Sequence, residues 1–133
     1  MKTIFLALIL TFAFGSFQFA EAQANEQVKV RVNQQKTASS SKLKIKFVSL
    51  VEDSRCPEGT QCVWAGNAKI KVQITTRRGE TKMVELNTNK GAKGESIGGY
   101  SVMLESVTPA PKENIRIDRN GYTATFSVTK LKR

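Results

Sequence analysis

The sequence predicts an all-β protein, a single antiparallel β-sandwich of about seven strands, with a small β-barrel as the alternative architecture. Three observations carry that expectation. Apolar residues recur at every second position, as in Leu43, Ile45 and Phe47 against Lys42, Lys44 and Lys46. Polar segments bearing glycine or proline punctuate these runs at strand-like intervals. Beyond the first 22 residues, no stretch shows the 3.6-residue apolar period of a helix.

The N-terminus reads as an export signal. Lys2 precedes an uncharged apolar run over residues 3–14, and Ala20-Glu21-Ala22 puts small residues where a signal peptidase reads them. Residues 1–22 are expected to be removed between Ala22 and Gln23, with Ala24 as the weaker site. The run is short for a transmembrane span, and no cysteine lies at the cut to carry a lipid. Residues 23–133 then form one domain of about 110 residues, exported to the periplasm or the exterior, with no transmembrane segment. Phe5, Phe12, Phe14, Phe17 and Phe19 leave with the signal, so the core falls to Val, Ile and Leu with Phe47, Phe126, Trp64, Tyr100 and Tyr122. So modest a core gains from a covalent staple.

Taken in order, residues 23–27 are a loose polar lead, and Val28, Val30 and Val32 alternate with Lys29 and Arg31 in a first strand. Residues 33–41 lack apolar rhythm and read as a loop. The strand over 42–51 slips phase at Phe47-Val48, which predicts a bulge or burial on both faces. Ala68, Ile70, Val72 and Ile74 mark the next strand, Arg77-Arg78-Gly79-Glu80 a hairpin turn, and residues 83–87 its returning partner. Residues 89–96 are polar and glycine-rich, match no phosphate-loop pattern, and read as a flexible connection. Tyr100, Val102 and Leu104 form a strand that must stop before Pro109-Ala110-Pro111. Ile115 and Ile117 suggest a short strand, and Asp118-Arg119-Asn120-Gly121 a type I′ hairpin into a last strand holding Tyr122, Ala124, Phe126 and Val128. Lys130, Lys132 and Arg133 would guard an edge.

Residues 53–66, Asp-Ser-Arg-Cys-Pro-Glu-Gly-Thr-Gln-Cys-Val-Trp-Ala-Gly, stand outside this rhythm and hold both cysteines and the only tryptophan. Pro57 and Gly59 allow a sharp reversal between Cys56 and Cys62, which are expected to form a structural disulfide. A bridge so local cannot join two sheets as an immunoglobulin disulfide does. Asp53 and Ser54 can accept backbone N–H groups at a strand end, and Arg55 can grip Asp53, a free carbonyl or the face of Trp64. Trp64 would cover the bridge, with Gly66 letting backbone pass close by. The alternative is that Asp53, Arg55, Glu58 and Trp64 form a recognition surface.

The combination Asp53-Ser54-Arg55-Cys56-Pro57 with Cys62-Val63-Trp64-Ala65-Gly66-Asn67-Ala68 resembles the signature of a family of small exported bacterial proteins of unknown function. The resemblance implies a signal peptide, β-strands and a C-terminal hairpin, but no activity. Some members carry a lipidated cysteine at the cleavage site, and this chain departs from them there.

With no histidine, Ser–His and Cys–His nucleophiles are excluded. Glu52, Asp53 and Glu58 lie among lysines without an Asp-x-Asp pattern, so neither a carboxylate pair nor a calcium site is expected, nor any metal or cofactor. The expectation is a non-enzymatic binding or structural module using residues 53–66, its partner another envelope or extracellular protein. The alternative is binding of a polyanion (nucleic acid, anionic glycan or anionic lipid), on the strength of a net charge of +10.

Overall fold

The computed structural model describes residues 15–16 and 25–132. The expected signal peptide and its cleavage at Ala22–Gln23 lie outside them, apart from Gly15 and Ser16. Eight strands follow in order: β1 (Asn25–Arg31), β2 (Gln35–Thr37), β3 (Lys44–Asp53), β4 (Ala68–Thr75), β5 (Thr81–Asn87), β6 (Gly94–Ile97), β7 (Tyr100–Thr108) and β8 (Thr123–Lys130). They form two four-stranded antiparallel sheets, β1-β8-β7-β6 and β2-β3-β4-β5. The sheets do not close, so the molecule is a sandwich and not a barrel.

The alternation builds the core. Leu43, Ile45, Phe47, Ile70, Val72, Ile74 and Leu86 from one sheet bury against Val28, Val30, Val102, Leu104, Phe126 and Val128 from the other. Phe47 and Phe126, the two phenylalanines expected in the core, are both fully buried. Among the described residues, the buried hydrophobic side chains lie between Val28 and Val128. The phase slip in β3 is real: its register against β4 shifts between Phe47 and Ser49 and again between Leu50 and Glu52.

Six expectations need correction. Residues 33–41 contain β2 and residues 89–96 contain the start of β6, both short edge strands whose partners supply the ladder that their own polar sequence does not announce. The polar lead is not loose, because β1 starts at Asn25 and Gln27 pairs with Ser127. Ile115 and Ile117 form no strand, and Ile115 makes only an isolated bridge with Lys112. Asp118-Arg119-Asn120-Gly121 is a turn, closed by the Gly121 N–H on the Asp118 carbonyl at 2.9 Å. It is not of the I′ type, since neither Asn120 nor Gly121 has positive φ. Finally, β8 lies between β1 and β7, so Lys130 and Lys132 end a central strand and guard no edge.

Antiparallel order sorts the loops onto two ends. The connections β3–β4, β5–β6 and β7–β8 lie at one end, and the turns β2–β3, β4–β5 and β6–β7 at the other, together with the start of β1 and the end of β8. The motif loop belongs to the first.

Candidate functional site

At the end of β3 the Asp53 carboxylate meets the Arg55 guanidinium in a two-pronged pair, Nε to Oδ1 at 2.8 Å and Nη2 to Oδ2 at 2.9 Å. Arg55 then crosses to the other sheet, donating Nη1 to the Val107 carbonyl at the end of β7 and Nη2 to the Pro109 carbonyl at 3.0 Å. The Tyr122 hydroxyl, just before β8, donates to Asp53 Oδ2 at 3.3 Å. Burial pushes the Asp53 carboxyl up, but the Arg55 fork and charge outweigh it and hold it below its ordinary value. The Tyr122 hydroxyl is pushed up by burial and by the Asp53 charge. This cluster ties the sheets together at the loop end. It also engages Arg55 internally, so its place on a recognition surface is not supported.

Behind it the two arms of the loop zip together. The Ser54 N–H donates to the Asn67 carbonyl at 2.8 Å, and the Asn67 N–H donates to Ser54 Oγ at 3.1 Å. The Cys56 N–H reaches the Ala65 carbonyl at 3.3 Å. Gly66 sits at φ +71°, and a Cβ there would fall 1.9 Å from the Ser54 carbonyl oxygen. The expected close backbone approach is therefore present, but the backbone is that of Ser54 and Arg55. Asn67, itself buried, donates to Asn87 Oδ1 at 2.8 Å and accepts the Asn89 and Lys90 N–H groups at 3.0 and 3.1 Å. Cys56 and Cys62 are bonded with Cα atoms 5.9 Å apart, as the spacing predicts. Pro57 helps to fix that turn by accepting the Thr60 hydroxyl at 2.7 Å, and the Glu58 N–H donates to the Pro111 carbonyl at 2.8 Å.

No protein-family model, curated protein or solved structure matches the chain.

On this mount stand two apolar side chains. Val63 is 91% and Trp64 76% exposed. The expectation that Trp64 joins the core is therefore wrong: the residue is largely exposed, and Val, Ile, Leu, Tyr122 and the two phenylalanines fill the interior without it. Ile115, in the neighbouring β7–β8 loop, is 60% exposed. Sequence reasoning passed over Val63, although a Val-Trp pair outside any alternating run has no strand to bury it. The contribution of Asn67 and Tyr122 was also missed, and no local signal announces it, since their partners lie far along the chain.

The strand ends and loops at this end carry eight cations, Arg31, Arg55, Lys69, Lys90, Lys93, Lys112, Arg116 and Arg119, against the five carboxylates Glu52, Asp53, Glu58, Glu113 and Asp118, a modest positive excess. The larger part of the net charge of +10 sits elsewhere on the molecule. A shallow cleft of about 180 Å³ is lined by Val32, Asn33, Val48, Ser49, Leu50, Arg119 and Asn120, none of them from the motif loop. Among the described residues no three His, Cys, Asp or Glu side chains gather to hold a metal.

Proposed function

We propose that the protein is an exported, non-enzymatic binding module that presents Val63 and Trp64 to an apolar pocket on a protein partner. The observation that supports this most is the contrast between a tightly tied loop and the exposure of its apolar tip. Asp53, Ser54, Arg55, Cys56, Cys62 and Gly66 hold the backbone, while Trp64, at 76% exposure, contributes little to the fold. Large apolar side chains on a pre-ordered loop have the character of binding hot spots, because partner contact fixes few new degrees of freedom. Export is inferred from the leader sequence and fits the disulfide, which persists in an oxidising compartment. The likeness of the 53–68 segment to a signature of small exported bacterial proteins points the same way.

The test uses residues 23–133 as bait against the protein's own envelope fraction, followed by a titration with the purified partner. Trp64→Ala is expected to weaken that binding by at least about tenfold while the melting temperature stays within a few degrees of the parent. A large drop in melting temperature would make the ring architectural. Unchanged affinity at unchanged stability would remove the tip from the function.

A second reading, polyanion binding, is favoured by the basic end described next.

A further inference from the structure

The end of the sandwich opposite Trp64 gathers positive charge. Lys42 and Lys44 flank the start of β3, Arg77 and Arg78 lie in the β4–β5 hairpin, and Lys132 follows β8. All five are exposed. They belong to one continuous surface. Lys44 stands in register with Thr75, next to the hairpin. The Gly98 Cα packs so close to Thr76 that an added Cβ would lie 2.9 Å from its Cγ2, and the Leu131 N–H donates to the Gly99 carbonyl at 2.9 Å. The local counter-charges are few. Glu95 is paired with Lys82, which leaves the Glu26 carboxylate, held by the neutral Ser39 and Ser40, and the exposed Glu80 against the five cations.

We propose that this end docks on an anionic lipid surface and holds the Val63–Trp64 tip roughly 25 Å above it, the length of an eight-residue strand. The inference rests on the second reading above and is independent of what the tip binds. Two features favour a membrane over other polyanions. No exposed aromatic side chain stands among these turns to stack on a base, since Tyr100 is half-buried against the core. The chain also enters the fold here: β1 begins at Asn25 opposite Thr129, so the leader and its apolar run over residues 3–14 join the domain at the basic end. A domain emerging behind a membrane-held leader thus meets the bilayer with this end first.

The test is co-sedimentation of residues 23–133 with phosphatidylcholine vesicles, with and without about one-third phosphatidylglycerol, at about 0.15 M salt. Binding is expected only to the anionic vesicles. Replacing Lys42, Lys44, Arg77 and Arg78 together with Gln should reduce it at least about tenfold at an unchanged melting temperature. A charge-matched control, with Lys90, Lys93, Lys112 and Arg116 replaced by Gln, should retain most of it, and Trp64→Ala should retain all of it. Equal loss in both quadruple variants would show net charge without a site, and loss with Trp64→Ala would put the tip in the bilayer. Either result overturns the proposal. Binding to a single-stranded oligonucleotide or polyphosphate in preference to vesicles would sink the membrane but keep the polyanion reading. Binding to none of these would sink both.

Discussion

Arg55→Ala strikes the corner on which the motif loop is built. It deletes hydrogen bonds to both Asp53 oxygens and to the Val107 and Pro109 carbonyls. The Asp53 carboxylate, 11% exposed, is left with the Tyr122 hydroxyl and the backbone N–H of residue 55. Removing one partner of a buried ion pair costs about 3–5 kcal/mol. Arg55 here is 15% exposed, so solvent reaches the pair and about 3 kcal/mol is the better figure. For a domain near 100 residues that is a fall in melting temperature of roughly 15 °C. Urea and thermal unfolding of residues 23–133 measure it. Arg55→Lys, which keeps the charge but loses the fork, should recover less than half. The pH dependence gives a second check. Asp53 has its carboxyl held below the ordinary 3.8, so the stability it contributes is present above 3.8 and is lost as pH falls through the folded value. Without Arg55, burial dominates and the carboxyl titrates above 3.8, so the gap between variant and parent should narrow as the solution is acidified. A loss under about 1 kcal/mol, full rescue by Lys, or a gap that does not change with pH would each refute the clamp.

Gly66→Ala should cost more than about 4 kcal/mol, since a Cβ would sit 1.9 Å from the Ser54 oxygen at φ +71°; an unfolding midpoint like the parent's would refute the close approach. Glu26 accepts N–H and O–H groups from Ser39 and Ser40, led by the Ser40 hydroxyl, and its carboxyl is pulled down to about 2. Its contribution, about 1 kcal/mol at a solvent-reached site, is present above the ordinary 4.5 and lost as pH falls toward 2. Glu26→Gln should flatten acid unfolding over that window, and equal acid sensitivity would count against the tie. Replacing Cys56 and Cys62 with Ser should cost about 2 kcal/mol, because the closed loop is short. The far-UV spectrum should not change, and a collapse of β signal would show that the bridge, and not Arg55, holds the corner.

What the sequence made legible was whatever two-residue periodicity or a single special residue specifies. The faces of β3, β4 and β8 follow from Ile45, Ile70 and Phe126 and their neighbours, and the Phe47-Val48 slip located a bulge. The disulfide and the glycine at 66 were readable because their chemistry is local. The edge strands β2 and β6 were not, because Gln35-Lys36-Thr37 and Gly94-Glu95-Ser96 have no preference of their own and are strands only through their partners. Ile115 and Ile117 misled for the opposite reason: they alternate, yet no free edge receives them. Trp64 misled through scarcity, since so few aromatics remain after residue 22 that assigning the ring to the core looked compulsory.

The exposure of Trp64 also bears on why the mount is so heavily tied. A ring of this size offers roughly 150–250 Å² of burial, worth about 4–6 kcal/mol at 25 cal/mol per Å². Folding realises little of that, because the ring is 76% exposed. The residues beneath it are fixed by charge, hydrogen bonds and a covalent bridge, none of which draws on the ring. On the proposed binding role, stability and contact would fall to different side chains. Asp53, Arg55, Gly66 and Asn67 would hold the loop whether or not anything is bound, and exchange of Val63 or Trp64 should leave it folded. The unrealised burial would then be open to a partner, and since the loop is already ordered, little of it would be lost to fixing the chain on contact.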